Sequence, residues 1–356
     1  MSPGPATAAD PTTDPVRDPG VPRRPGGRWR GAGLAVAVGL LVVAMIASLA
    51  VGSKALPPSV VLDALLRGGD GLDAVIVRDQ RVPRTLLGLA VGVALGAAGA
   101  LMQALTRNPL ADPGVLGINW GASAAIVGGI LVFGITTLNG YVWFSFAGAA
   151  AVAVVVYVLG ASGRSGATPA RLALAGTAVG ASLQGVIYAV VLLDARTFDQ
   201  FRVWRVGSLT GRDPQALVQV LPFLVLGVLV ALALGRALNA LALGEETGRA
   251  LGVRVRRTRA ITGLAIVLLC GGATAAAGPI AFVGLAVPHL ARTVTGPDQR
   301  WVLPYSMVLG GVLVVAADVV GRVVVMPAEL EVGVVTAFVG APVFLAIARR
   351  RRVVAL

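Results

Sequence analysis

Residues 85–106 read TLLGLAVGVALGAAGALMQALT, a run of apolar and small residues without a charged side chain. A helix of about 20 such residues is long enough to cross the hydrocarbon core of a bilayer. Gly88, Gly92 and Gly96 recur in this run at four-residue spacing, and small residues so spaced let a second helix backbone approach closely. The run therefore predicts a transmembrane helix at the crowded centre of a helical membrane protein.

Similar runs recur along the chain and predict an all-α, polytopic membrane protein with about ten transmembrane helices. The spans are predicted at residues 33–53, 85–106, 118–137, 141–161, 170–193, 217–238, 259–277, 280–293, 302–321 and 333–348. The eighth span is short and follows Gly278 and Pro279, which predicts a broken segment covered by neighbouring helices. The composition agrees, because 56% of the residues are hydrophobic and only 13% are charged, against roughly 25% charged in soluble domains.

The chain divides into two predicted regions. Residues 1–30 are rich in Pro, Gly, Asp and Arg and lack apolar periodicity, so we expect a disordered, basic cytoplasmic tail there. The apolar run after Arg30 lacks a small-residue cleavage site and is predicted to be a retained span. Residues 31–356 then form the transmembrane domain.

The positions of the charges predict the topology. With a cytoplasmic amino terminus, the inner segments hold 20 arginines against 7 acidic residues, and the outer segments hold 10 basic against 9 acidic residues. Basic residues collect on the cytoplasmic side of membrane proteins, so both termini are predicted to be cytoplasmic. The net charge of +13 then reflects topology. We therefore expect no nucleic-acid partner, and a basic tail beside a span would attract anionic membrane lipid weakly.

Side chains that could carry catalysis or hold a metal are scarce. Cys270 is the only cysteine and His289 the only histidine, so no metal site is expected. The sequence contains no HExxH, GxSxG or GxxxxGK[ST] motif, which predicts no catalytic residues and places any ATP hydrolysis on another polypeptide. We also expect no cofactor.

Asp318 is the only acidic residue within the predicted spans, and it lies near their outer boundary. An ion-coupled secondary transporter would need ionisable groups near the bilayer midplane. That class of transporter is therefore the less favoured alternative.

Several segments resemble the FecCD family, the permease subunits of ABC importers for ferric siderophores, haem and cobalamin. They are Arg81-Val82-Pro83-Arg84, Gln103, Arg107-Asn108-Pro109-Leu110-Ala111-Asp112-Pro113-Gly114, residues 277–285, Pro288-His289 with Arg292, residues 329–337 and residues 340–344. The resemblance extends from the first span to the end of the chain. Glu331 departs from it, because the family has proline there, and the long amino-terminal tail lies outside the family pattern.

The resemblance implies a permease in the cell membrane that pairs with a second copy or a paralogue, two ABC ATPase subunits and an extracytoplasmic substrate-binding protein. Ferric siderophores are the expected cargo, with haem or cobalamin as alternatives. The pathway between the two permeases is expected to be largely apolar and to bind its cargo weakly.

The resemblance also assigns roles to individual residues. Binding-protein docking is expected at Arg81, Arg84 and Arg322. Coupling to the ATPase is expected at Gly244, Glu245, Glu246, Thr247, Gly248, Arg249, Ala250, Leu251 and Gly252. The acidic residues at the start of this segment and the glycine at its end predict that it forms a short helix. A cytoplasmic gate is expected at Asn108, Pro109, Leu110, Thr168, Pro169 and Ala170.

Overall fold

The computed structural model describes residues 27–52, 54–68, 71–135, 137–162, 169–212 and 214–349. Among these residues the regular secondary structure is helical, with no β-strand. The helices are α1 Gly27–Ala50, α2 Pro58–Leu66, α3 Leu72–Val75, α4 Val82–Thr106, α5 Ile118–Phe133, α6 Leu138–Ala161, α7 Pro169–Leu193, α8 Ala195–Arg205, α9 Pro214–Ala242, α10 Glu245–Ala250, α11 Val255–Ala277, α12 Val283–Thr295, α13 Gln299–Val324 and α14 Val332–Arg349. A π-helical turn, Ile76–Arg81, leads into α4, and a 3-10 turn, Pro113–Leu116, precedes α5.

A helix occupies each of the ten predicted span positions. Among the described residues, seven helices are long and apolar enough to cross a membrane, namely α1, α4, α6, α7, α9, α11 and α13. The apolar helices α5 and α14 are shorter, and α12 has 13 residues. The all-helical membrane fold is therefore confirmed, whereas the count of ten spans remains a prediction. Residues 27–30, which we expected in the tail, belong to α1, and residues 1–26 lie outside the described residues.

The centre of the bundle is formed by α4 and α13. A side chain on Gly92 would collide with the backbone of Gly310, and one on Gly96 with the carbonyl of Ser306. The small residues predicted to allow close approach therefore do so, and α13 is the helix that approaches. Most of the apolar core surrounds this contact, with α11 packed on the same part of α4.

The predicted break before the eighth span is present. The helix α11 ends at Ala277, and residues 278–282 are not helical until α12 begins at Val283. Ala277 accepts a hydrogen bond from the Ser208 amide at 2.8 Å, and Gly278 and Ile280 are buried. Protein groups therefore cover this irregular backbone, as its place among membrane-spanning helices requires.

Candidate functional site

Four charged side chains cluster at the end of the bundle where α4 begins and α13 ends. The Asp318 cluster consists of Arg84, Asp318, Arg322 and Glu329. Arg84 donates to both carboxylate oxygens of Asp318 at 2.8–3.1 Å and to Glu329 at 2.8 Å. Arg322 donates to Asp318 at 2.5 and 3.1 Å. Two guanidinium groups thus face two carboxylates, and the cluster is neutral overall.

The Asp318 cluster also ties three other segments together. Arg322 donates to the Ser48 carbonyl at 2.9 Å and to the Ser48 hydroxyl at 2.6 Å, near the end of α1. The Ser48 hydroxyl in turn lies 2.7 Å from that of Thr85. Glu329 accepts from the Thr210 hydroxyl at 3.1 Å. The cluster therefore joins α1, α4, α13 and the loop before α9.

Arg81 lies beside this cluster but contacts no carboxylate among the described residues. Its guanidinium donates to the carbonyls of Leu49, at 2.7 Å, and Lys54. Arg81 is only 5% exposed, and Arg322 only 3%. We expected these arginines to dock a binding protein, and the structure places both inside the protein with internal partners. The sequence could not show that Arg84 shares Asp318 with Arg322, because Arg84 and Asp318 are 234 residues apart.

Glu329 is the member of the cluster that reaches the surface, with 27% of its side chain exposed. Burial opposes its ionisation, but hydrogen bonds and charge from Arg84 outweigh burial and hold the pKa of Glu329 below its ordinary value. Arg84 and Glu329 line a cavity of about 350 Å³, which Asp79 and Arg212 also line. The cluster is therefore reachable from this cavity through Arg84 and Glu329, whereas Arg322 and the neighbouring Arg81 are buried.

At the opposite end, α4 stops in a tight turn. Arg107 takes a left-handed conformation with φ of 51° and donates to the Leu241 carbonyl at 2.5 Å. The Asn108 side chain accepts from the Leu110 amide at 3.0 Å, and Asp112 caps the following 3-10 turn through the Gly114 amide at 2.7 Å. These local bonds fix the predicted gate turn, with Asn108 and Leu110 exposed.

The second predicted gate segment is described only in part. Thr168 lies outside the described residues, whereas Pro169 and Ala170 form the first turn of α7. A side chain on Gly117 would come within 3.2 Å of the Gly176 carbonyl, so α7 runs close to the segment after the gate turn. The helix that begins at Pro169 therefore packs beside the 3-10 turn that follows the gate turn, and the gate role of both segments stays a prediction.

Three motif residues meet just above the gate turn. Pro288 lies inside α12 and has no amide hydrogen, so it cannot bond to the carbonyl four residues earlier. The Gln103 side chain donates to that Gly284 carbonyl at 3.2 Å and accepts from Arg292. The sequence shows these residues only as separate parts of a motif. Pro288 inside a predicted helix is the signal that the Gly284 carbonyl needs a donor other than the backbone amide at position 288.

The predicted short helix near the gate end is present as α10. Gly244 and Gly252, with φ of 116° and 83°, lie on either side of it. Glu245 pairs with Arg249 at 2.9 Å and with Arg259 at 2.6 Å, which anchors α10 to α11. Leu243 and Leu251 are 67% and 61% exposed. The segment is therefore a short helix that ion pairs hold against α11 and that is flanked by exposed apolar side chains.

No group of three potential metal ligands among His, Cys, Asp and Glu occurs among the described residues. Cys270 is buried and lies 3.3 Å from the Asn119 side chain.

Comparison with known proteins identifies the relatives of this chain. The model of the FecCD transport family matches residues 40–350. The chain is 50% identical to the ferric enterobactin transport system permease protein FepD of Escherichia coli strain K12, over 88% of this chain and 93% of FepD. It is 41% identical to the Fe(3+)-citrate import system permease protein YfmD of Bacillus subtilis strain 168, over 79% and 83% of the two chains.

A third relative, the iron(3+)-hydroxamate import system permease protein FhuG of the same Bacillus strain, is 36% identical over 88% of this chain and 95% of FhuG. Among solved structures, a metal-chelate type ABC transporter in an inward-facing conformation matches with a TM-score of 0.78 and 24% identity, over 90% of this chain and 99% of that one. The structural match supports the fold.

Proposed function

Because the chain belongs to the FecCD transport family, we propose that it is the membrane-spanning permease subunit of a binding-protein-dependent ABC importer for ferric siderophores. The observation that carries this proposal is the family match across residues 40–350 of a chain with seven membrane-length helices among its described residues. A permease subunit is not itself an enzyme. The chain is a multi-pass membrane protein, and we place it in the cell membrane.

The topology follows from the positive-inside distribution. With ten spans and both termini in the cytoplasm, α10 and the gate turn face the cytoplasm and the Asp318 cluster faces outward. Residues 31–356 form the permease domain, and the basic tail before them is cytoplasmic. The excess of arginine near the gate end supports this orientation over its inverse.

The coupling segment 244–252 receives the ATPase subunit. The ion pairs of Glu245 fix α10 to α11, so a displacement of the bound ATPase subunit would move both helices together. The exposed Leu243 and Leu251 give the segment an apolar contact surface. Exposed apolar side chains of this kind mark protein-binding sites in other proteins. Two such subunits would serve a pair of permeases, this chain and a second copy or a paralogue.

The cytoplasmic gate consists of the turn at Asn108–Leu110 and the segment Thr168–Ala170. The Gln103 amide links the end of α4 to α12 directly above the turn, so a displacement of either helix would reach the gate. Docking of the binding protein involves Arg81, Arg84 and Arg322 through the Asp318 cluster. A carboxylate of the partner would exchange with Glu329 at Arg84, while the buried Arg322 holds Asp318 in place and Arg81 fixes the end of α1 beside the cluster.

The transport claim is tested with the purified complex in proteoliposomes. Uptake of a radiolabelled ferric siderophore should require ATP on the ATPase side and an added binding protein, and an imposed proton or sodium gradient should not replace ATP. Uptake that runs on an ion gradient without ATP would overturn the importer assignment in favour of a secondary transporter. ATP-driven uptake of haem or cobalamin in place of the siderophore would overturn the cargo alone.

A further inference from the structure

Arg292 is a buried cation without a counterion. It lies on α12 with 2% of its surface exposed. One guanidinium nitrogen donates to the Gln103 side chain, whereas Nε and Nη2 are buried and have no hydrogen-bond partner among the described residues. No ion pair within this part of the chain includes Arg292. Because an unpaired charge is costly to bury in a protein interior, Arg292 lacks an anion that would stabilise it.

A carboxylate that also lacks an ion-pair partner lies nearby. It belongs to Asp112, two residues after the gate turn at Asn108–Leu110. One of its oxygens accepts from the Gly114 amide at 2.7 Å, and no described arginine or lysine pairs with it. A side chain on Gly284 would come within 3.2 Å of the other oxygen. The Asp112 carboxylate therefore abuts the first turn of α12, the helix that carries Arg292.

The two charges are connected through a single side chain. The Gln103 amide that accepts from Arg292 also donates to the Gly284 carbonyl at 3.2 Å, and Gly284 is the residue that Asp112 abuts. Arg292 lies eight residues after Gly284, about 12 Å along the helix axis, and helical side chains tilt back towards the amino-terminal end. A shift of the gate turn along α12 would therefore bring the Asp112 carboxylate to the Arg292 guanidinium in place of Gln103.

Both segments begin at a residue with a left-handed backbone. Arg107, with φ of 51°, starts the turn after α4, and Phe282, with φ of 68°, precedes α12. They are the two non-glycine residues with positive φ in the part of the chain that the structure describes. Strain of this kind persists only where the surrounding structure over-determines it, and it is found in switch regions. The strained residues and the unpaired charges therefore belong to the same two segments.

We propose that Asp112 and Arg292 form an ion pair in a second conformation of the permease, in which the gate turn has shifted relative to α12. In the described conformation Gln103 holds Arg292 and the Gly114 amide holds Asp112. The exchange of partners gives the gate two discrete arrangements, and a bound ATPase or ligand can favour either one. The proposal rests on the gate role proposed above and names the side chains that stabilise its second position.

The experiment is a double-mutant cycle in the purified complex of permease, ATPase and binding protein. The variants are Asp112→Asn, Arg292→Gln and the two together, each melted with and without a non-hydrolysable ATP analogue. Unfolding is followed by the amount of fluorescently tagged permease that stays soluble after heating. Two reference cycles are run beside it, the buried pair of Asp318 and Arg322 and the exposed pair of Asp63 and Arg67.

The substitutions at 112 and 292 should be coupled in one nucleotide condition and additive in the other. In the coupled condition the double variant should melt about 4 °C or more above the temperature expected from adding the single losses, because either single change leaves the other charge unpaired. In the other condition it should lie within about 1 °C of that temperature. The Asp318 cycle should be coupled in both conditions, and the Asp63 cycle in neither.

ATP-driven uptake of a ferric siderophore by the same complexes gives a second measurement. Each single variant should transport about tenfold more slowly than wild type, because either change lowers the population of the second conformation. The double variant should recover part of that loss, since no charge is then left unpaired. Independent structural roles of the two residues would instead give losses that multiply.

The proposal is overturned if the cycle at 112 and 292 is additive in both nucleotide conditions, because the two residues then never pair. Equal coupling in both conditions also overturns it, since the pair is then permanent. If Arg292→Gln does not accumulate in the membrane, Asp112→Asn is compared with Asp112→Glu, which keeps the charge. Only Asp112→Asn should then lose about 4 °C more in one condition than in the other, and equal losses overturn the proposal.

Failure of the switch and failure of the proposed function give different results. If wild type shows ATP-driven uptake and the cycle is additive in both conditions, the switch is refuted and the importer function stands. If wild type itself shows no ATP-driven uptake, the importer function fails and the gate role on which the switch rests fails with it.

Discussion

Replacing Asp318 with asparagine should destabilise the protein strongly. Asp318 is 2% exposed and accepts five hydrogen bonds from Arg84 and Arg322. The substitution would leave Arg322 buried with no carboxylate partner among the described residues. Removing one member of a buried ion pair costs about 3–5 kcal/mol, mostly because the remaining charge stays buried.

The assay is thermal unfolding of the detergent-solubilised protein, followed by tryptophan fluorescence. At about 2 °C per kcal/mol, the lower end of the range for large domains, the Asp318→Asn variant should melt about 6–10 °C below wild type. Asp63→Asn is the matched control, since it breaks an ion pair at the same end whose side chains are 57% and 83% exposed. Pairs of that kind contribute about 0–1 kcal/mol.

A double-mutant cycle sharpens the test. Arg322→Gln should cost much less in the Asp318→Asn background than in wild type, because the carboxylate it pairs with is already gone. The buried ion-pair network is refuted if Asp318→Asn melts within about 2 °C of Asp63→Asn. It is also refuted if the losses of unfolding free energy caused by Asp318→Asn and Arg322→Gln are additive in the double variant.

Three further outcomes are expected. Gln103→Leu should lower the free energy of unfolding by about 1–3 kcal/mol, because it leaves the Gly284 carbonyl without the Gln103 donor, whereas the exposed Gln80→Leu should be nearly neutral in the same melt. Leu251→Asp in the coupling segment should reduce ATPase stimulation in the purified complex without changing its melting temperature, and an unchanged ATPase rate would argue against coupling there. Interactions with Arg300 and Asn239 hold the pKa of Asp298 at about 2, so the stability that Asp298 adds is present above about pH 4 and lost as the pH falls towards 2. The melting difference between wild type and Asp298→Asn should therefore vanish over that range, and a constant difference would refute the assignment. The difference is worth under about 1 kcal/mol, because the Arg300 side chain is 58% exposed and its pair with Asp298 is screened by water.

The helices were the part of the molecule most accessible from sequence, because a run of about 20 apolar residues has few alternatives in a membrane. The glycine spacing in α4 also predicted close packing, although it could not name α13 as the partner. The short helices α2, α3 and α8 were not predicted. They are too short or too polar to register as spans, and their packing depends on contacts that sequence spacing does not show.

The site was predictable in its members and less so in its arrangement. The three arginines were identified by resemblance as docking groups, but the carboxylate that Arg84 binds, Asp318, lies 234 residues along the chain.

The central claim is tested most directly by radiolabelled iron uptake in cells from which this chain has been deleted. Supplied with a ferric siderophore, the deleted cells should fail to accumulate iron, and the wild-type chain should restore uptake, whereas uptake of cobalamin and haem should be unchanged by the deletion. Undiminished ferric siderophore uptake in the deleted cells, with loss of cobalamin or haem uptake instead, would contradict the assignment of this permease to ferric siderophores.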